Sequence, residues 1–553
     1  MRPCTFLLLL ALASLGCAES SSPANPWNAT LPADAGERVK EIFAAYDHTD
    51  TPGCAVGISL GGTEVLRGAW GMADLEHHVA LTPDSVLEAG SVSKQVTAAA
   101  ILLLAEQGKL SLSDPVRKYI PELPDYGTTI TIDHLLHHTS GLRDWGSIEE
   151  AAGWPRSTRE YSNAWVVDIA SHQKALNYRP GDDWSYTNTG YNLLAVVVQR
   201  VTGKSLAQFT HDDIFLPMGM RTTSWRDDFQ RIVPNRAIAY VQEDGSERQL
   251  MPFENAYGNG GLLTTVDDLL RWNERFAASK IGDGTFVKSE LAPGGLNDGR
   301  TTFYAAGLFL TEHDGAREIS HSGATAGYRA WLGFYPERQL SVALLCNAAE
   351  ANTVRLGHRV ADVYLLSPGE KPAEPAHFAL VAGLEGLYED LRDHTTIAID
   401  EKDGKLVADG RFVLIPVSAT SFQLTPEGNT YEITADEAGK PAGLRVKAYG
   451  LELETFDRVE RVKPSADEMQ GMIGDYVSDE AEAAFHVVLG AKGLEIHQRP
   501  DIVYPLTPTY AGGYSSELGS VRFLRDASGS VTSLSLGNAR AWDLRFRRVE
   551  TKP

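Results

Sequence analysis

The stretch GSVSKQVTAAAILLLAEQG, residues 90–108, sets a serine and a lysine three positions apart at the head of an apolar run that Gly108 closes. The pattern predicts a helix over Ser93 to Glu106, with Ser91 and Lys94 on one face. A serine hydroxyl is a weak nucleophile by itself, and a neutral amine within hydrogen-bonding reach can serve as its base. Lysine suits that task because desolvation lowers its pKa. The start of a helix also turns backbone N–H groups toward developing negative charge. Serine and lysine are common, so the spacing has a plain alternative: a helix that happens to begin with serine.

Two further stretches bear on that choice. In DWSYTNTGYNLLA (Asp183–Ala195), Tyr186 and Asn188 flank a threonine ahead of a predicted helix over Tyr191–Val201. A phenol beside a lysine can relay a proton, and an amide side chain can hold a substrate carbonyl. In ISHSGATAGYRAWLGFYP (Ile319–Pro336), His321-Ser322-Gly323 enters a strand. A glycine opening an edge strand lets another backbone approach closely. Taken singly, the Tyr186–Asn188 stretch reads more readily as a turn before a helix, and the His321–Gly323 stretch as a turn entering a strand.

Together and in this order, the three motifs resemble the penicillin-recognising serine hydrolase superfamily, peptidase family S12, in the branch of class C β-lactamases, D-aminopeptidases and related esterases. LLHHTSGL (Leu135–Leu142), GNGGLLTTVDDLLRW (Gly258–Trp272) and FYPERQLSVALLCNA (Phe334–Ala348) are similar to the family's background. The resemblance covers roughly residues 38–365. It implies an α+β fold, an antiparallel sheet flanked by helices, and an acyl-enzyme mechanism without metal or cofactor. On that resemblance Ser91 is the nucleophile, Lys94 its base and Tyr186 the proton shuttle. Asn188 would bind the substrate amide, and the backbone N–H groups of Ser91 and Ala324 would receive the oxyanion. His321 and Gly323 would line the pocket. β-Lactamases and cell-wall carboxypeptidases of the superfamily usually carry lysine at the position of His321, where it helps hold a substrate carboxylate. A largely neutral imidazole is a weaker anchor, which shifts the expectation toward D-aminopeptidases.

Beyond SPGEKPAEPA (Ser367–Ala376), three prolines in ten residues, helical periodicity gives way to short alternating strands. This tail repeats itself. Gly386-Leu387-Tyr388 recurs as Gly474-Asp475-Tyr476, Asp436…Gly439 as Asp526…Gly529, and Phe456-Asp457-Arg458-Val459-Glu460 as Phe546-Arg547-Arg548-Val549-Glu550. Each copy is long enough for a small antiparallel barrel, and two lipocalin-like barrels after a penicillin-recognising domain match the D-aminopeptidase plan. In that plan a loop of the last barrel carries an acid to the substrate's free amine. Glu517, in AGGYSSELGS (Ala511–Ser520), is the residue the resemblance points to. The expected organisation is a leader over 1–18, a tether over 19–34, a catalytic domain over 35–366, a linker over 367–377, and barrels over 378–462 and 463–553.

The remaining features bound the answer from outside. With 43% apolar residues the chain has enough material for folded cores, and a net charge of −23 excludes nucleic acid as a partner. MRPCTFLLLLALASLGCAES reads as an export signal too short to span a bilayer. Cleavage after Ala18 and lipidation at Cys17 both fit; a lipid there would be the sole membrane attachment of a periplasmic, secreted or outer-membrane protein. Cys54 and Cys346 lie in apolar strand-like runs and read first as buried hydrophobes, a bridge between them being the alternative. His134, His137 and His138 lack the further ligands a metal site needs. The expected function is hydrolysis of a peptide or amide containing a D-amino acid. An esterase or β-lactam hydrolase is the alternative within the family, and a non-catalytic peptide-binding protein the alternative outside it.

Overall fold

The computed structural model describes residues 32–156, 158–366, 378–425, 428–498 and 501–549. The leader, most of the tether and the proline-rich linker lie outside the described residues. In the first part, six antiparallel strands form the central sheet: β1 (Cys54–Leu60), β2 (Thr63–Trp70), β3 (Phe309–His313), β4 (Ala316–Thr325), β5 (Tyr328–Tyr335) and β6 (Leu340–Cys346). Their spatial order is β3-β4-β5-β6-β1-β2. The chain thus leaves the sheet after β2, builds the helical region, and returns on the far side.

Side-chain alternation explains the layering. Val56, Ile58, Val342 and Leu344 point into a core shared with helices α1 (Ala35–Ile42) and α7 (Thr353–Leu365). Ala55, Ala343 and Leu345 point to the other face, toward α2 (Ser93–Glu106), α5 (Asn188–Thr202) and α6 (Val266–Asn273). A sheet covered on both sides needs strands that are apolar throughout, and every residue of β6 is buried. Thr265 caps α6 by accepting from the Asp268 N–H at 3.3 Å.

One expectation is corrected. Cys54 and Cys346 form a disulfide rather than acting as two separate buried hydrophobes. The β1–β6 register sets them directly opposite each other, with Cα atoms 4.0 Å apart across 292 residues of sequence. The two apolar runs are visible in the sequence, but their pairing is not.

The two tail copies fold alike. Each is a nine-stranded antiparallel sheet whose first and last strands pair. The open edges are consecutive strands, Phe412–Val413 and Ile415–Ser418 in one copy, Ile502–Pro505 and Thr507–Pro508 in the other, so each barrel is nearly closed. The repeated residues do the same work in both. Tyr388 donates to Leu384 O and Tyr476 to Met472 O, each at 2.7 Å. Arg458 donates to the carbonyls of Gly383 and Pro441, and Arg548 to those of Gly471 and Val531.

The barrels are built onto the catalytic part. Trp145 and Ile148 of α3 (Trp145–Ala151), Tyr161, and Val166 of α4 (Asn163–Ser171) share one apolar cluster with Tyr476, Phe485, Leu544 and Phe546 of the second barrel. Fully burying such a side chain contributes about 1.5–3 kcal/mol, so this is a permanent seam. The first barrel meets Phe303 and Phe309 through Ala448, Leu451 and Leu453. Among the described residues no helix is long and apolar enough to cross a membrane.

Candidate active site

Ser91 stands on a single 3-10 turn, Gly90–Val92, that leads into α2. Gly90 has φ +50, a left-handed conformation suited to glycine, and a Cβ there would lie 2.6 Å from Ala324 N. Gly323 is constrained from the opposite side: a Cβ on it would lie 2.0 Å from Ala89 O. The two glycines therefore let β4 run against the Ser91 turn. Beyond its Ser320–Phe309 pair, β4 pairs with no strand on the β3 side among the described residues, so His321–Thr325 presents an edge there. The glycine of the third motif thus serves the packing of strand on turn, which the sequence alone assigns to substrate approach.

Lys94 is fully buried and makes three polar contacts. Its Nζ lies 2.9 Å from Asn188 Oδ1, 2.7 Å from Asn259 O and 3.1 Å from Ser91 Oγ. Burial, reinforced by the positive charge of Arg540, pushes its pKa well below the ordinary lysine value. A neutral amine has two N–H donors and one lone pair. The two carbonyl oxygens take the donors, and the lone pair is left facing the Ser91 hydroxyl, which can donate to it.

Asn188 opens α5, three residues before the start that periodicity predicts, and its own N–H donates to Asp144 Oδ2 at 2.6 Å. The Tyr186 ring lies 4.7 Å from Lys94 Nζ. Burial raises the pKa of its phenol; the nearby Ser91 hydroxyl and then Arg540 oppose that rise. The phenol oxygen is screened from solvent and completes no hydrogen bond among the described residues. Beneath it, His138 packs 4.3 Å from the ring centroid and accepts from the Thr187 N–H at 3.3 Å, held neutral by burial.

His321 is buried, with Nδ1 2.6 Å from Ser322 O and Nε2 3.1 Å from the Tyr304 hydroxyl. A carbonyl can only accept, so Nδ1 carries the hydrogen and Nε2 accepts from Tyr304. Burial and the adjacent Lys94 lower its pKa to about 3, so it supplies no cation. His134, His137 and His138 do not converge. His134 Nδ1 accepts from the Thr131 N–H in a helix cap, whereas His137 sits between Asp133 and Ala292 O.

Ser91, Tyr186, Asn188, His321, Gly323 and Ala324 line a cavity of about 610 Å³, with Lys94 buried behind Ser91. Glu517 is absent from that wall. It is exposed at the turn between Gly513–Ser516 and Gly519–Arg525, where the Ser516 hydroxyl closes the turn on Leu518 N and Gly519 O. The second barrel reaches the site through its last hairpin, Val531–Asn538 and Ala541–Arg548, whose tip carries Arg540. Arg540 O accepts from Asp144 N and Asn177 Nδ2, both at 3.1 Å, and Ala539 O accepts from the Ser185 hydroxyl. Sequence reasoning missed Arg540, along with the Arg156–Glu254 ion pair beside the cavity. The available signal was the repeat: the equivalent tip in the first copy reads Tyr449-Gly450, and Arg540 departs from it. Arg540 also lines a second cavity of about 390 Å³, walled by Phe303, Phe309, Trp331, Tyr449 and Leu453.

A family model described as Beta-lactamase matches residues 39–365. Penicillin-binding protein 4* of Bacillus subtilis is 30% identical over 68% of this chain and 89% of its own length. A D-aminopeptidase of Brucella canis is 26% identical over 92% of this chain and 98% of its own, barrels included. Among solved structures, an octameric penicillin-binding protein homologue from Pyrococcus abyssi has a TM-score of 0.55 at 22% identity, covering 77% of this chain and 99% of that one.

Proposed function

Because the chain belongs to the Beta-lactamase family of serine hydrolases, we propose that it hydrolyses amide bonds in short peptides containing D-amino acids, through an acyl-enzyme on Ser91. The observation that carries this is the arrangement at Lys94, whose two donors are occupied and whose lone pair faces Ser91 Oγ. In the forward step Oγ bonds to the substrate carbonyl carbon as its proton passes to Lys94. The backbone N–H groups of Ser91 and Ala324 receive the oxyanion. Tyr186 gives its phenolic proton to the leaving nitrogen and is reprotonated from Lys94 as the carbon–nitrogen bond breaks. Water then cleaves the Ser91 ester by the reverse proton path. Asn188, fixed by Asp144 and Lys94, offers its amide N–H₂ to the acyl side. D-Aminopeptidase relatives that span 92% of this chain support the D-amino-acid preference.

Export is part of the proposal. The Cys54–Cys346 disulfide supports it, since such bonds persist in oxidising compartments, as does the leader ending at Cys17-Ala18. Sequencing the amino terminus of the processed protein tests it. A start at Glu19, or a lipid-modified Cys17, is expected; an unprocessed cytoplasmic chain would overturn it.

The activity is tested with matched D- and L-aminoacyl anilides, a short-chain nitrophenyl ester and a chromogenic cephalosporin, with Ser91→Ala as control. Preference for the D-anilide, together with loss of turnover and of fluorophosphonate labelling in Ser91→Ala, is expected. Labelling that persists in the variant sinks the nucleophile assignment. Equal rates on both enantiomers favour the esterase reading.

A further inference from the structure

The wall of the Ser91 cavity contains three arginines, Arg156, Arg329 and Arg540, and no acidic residue. Their charges are not equally available. Arg156 is paired with Glu254, which is itself buried. Arg329 donates to Ala326 O and Tyr328 O at 2.7 and 2.8 Å. The Arg540 guanidinium has no hydrogen-bonding or ionic partner among the described residues and rests over the Tyr186 ring, 5.2 Å from its centroid. Its backbone is fixed, however, by the two hydrogen bonds its carbonyl accepts from the catalytic part. A held backbone carrying an unpaired, forked cation into a cavity is a ready partner for a carboxylate, which such a fork binds in a bidentate manner.

The position of Arg540 indicates which end of the substrate it meets. It stacks on Tyr186, the phenol assigned above to protonate the leaving nitrogen. His321 has both ring nitrogens engaged inside the protein. We infer that Arg540, delivered by the second barrel, anchors a carboxylate on the leaving group, so that the preferred substrates are amides whose departing residue is a carboxyl-terminal amino acid. This rests on the proposed Ser91 and Tyr186 roles, and it places the anion site on a different domain from the third motif. It also replaces the expected ammonium site at Glu517, which the cavity wall does not include.

The test uses the full chain with an acyl-D-Ala-D-Ala peptide and its carboxyl-terminal carboxamide. The wild type is expected to favour the free carboxylate at least about tenfold in kcat/KM. Measured at a pH above the acid limb of each variant, Arg540→Gln should lower the carboxylate-to-carboxamide ratio of kcat/KM about 10- to 100-fold, with Arg540→Lys intermediate. Labelling by a neutral fluorophosphonate, compared at a pH above the acid limb of each variant, would show that the Ser91 machinery is intact. Equal losses on both substrates, or a wild type that prefers the carboxamide, would overturn the inference. Equilibrium binding of the two peptides to Ser91→Ala, with and without Arg540→Gln, separates this from failure of the catalytic reading. Carboxylate-selective binding that depends on Arg540 sustains the anchor even if turnover is absent, and its absence refutes the anchor even if Ser91 is labelled.

Discussion

Arg540 of the second barrel lies over the ring of Tyr186 of the catalytic domain, its guanidinium carbon 5.2 Å from the ring centroid. The two residues are 354 positions apart, yet the charge of one acts on the titration of the other and on Lys94 behind it. The tail therefore belongs to the electrostatics of the site. That coupling has a measurable sign.

Lys94 must be neutral to accept the Ser91 proton, so kcat/KM should rise with pH through the Lys94 pKa. Burial and Arg540 place that limb well below the ordinary lysine range. Removing a positive charge stabilises the lysine cation, so Arg540→Gln should move the acid limb to higher pH. A pH–rate profile on the carboxamide substrate checks this, and an unmoved limb would contradict it. His321, held at about 3, should add no inflection between pH 5 and 8.

Gly323→Ala should inactivate the enzyme while leaving it largely folded. Its Cβ would lie 2.0 Å from Ala89 O and 3.1 Å from Ser91 N, forcing β4 off the nucleophile turn. Displacements of about 1 Å in such sites cost on the order of 100-fold in rate. Fluorophosphonate labelling beside a thermal melt measures both effects; wild-type labelling speed would contradict the assigned packing.

The Cys54–Cys346 bond should be detectable as a single linked peptide after non-reducing digestion. Replacing both cysteines by alanine should cost about 2–4 kcal/mol in unfolding free energy, read from denaturant melts. Activity at low temperature should persist, because the bond joins β1 to β6 away from Ser91. Free thiols at both positions in protein purified without reductant would refute the pairing.

Glu517→Gln should leave the ratio of rates on free-amine and N-acylated peptides unchanged within about twofold, since Glu517 is exposed on a turn outside the cavity. A selective loss on free-amine peptides would restore Glu517 as an ammonium site.

Much of this molecule is written in local patterns. Ser91 and Lys94 meet because three residues make nearly one helical turn, and helix α2 has the bounds its apolar run predicts. The caps, the strand alternation and the tail repeat are likewise short-range, and short-range order is what neighbouring residues dictate. The resemblance of three motifs extended that reading to Tyr186, Asn188 and His321, which the fold brings to one cavity with Ser91. Tertiary structure alone decided three other things: that Cys54 faces Cys346, that His321 is spent on Ser322 and Tyr304, and that Arg540 rather than Glu517 reaches the site. The physical reason is the same in each. Glu517 and Arg540 sit on different hairpin turns of one barrel, and which tip enters the cavity is set by how the barrel docks. That docking is fixed by the buried seam around Trp145 and Tyr161 and by hydrogen bonds to Asp144 and Asn177, contacts between segments hundreds of residues apart that no local pattern encodes.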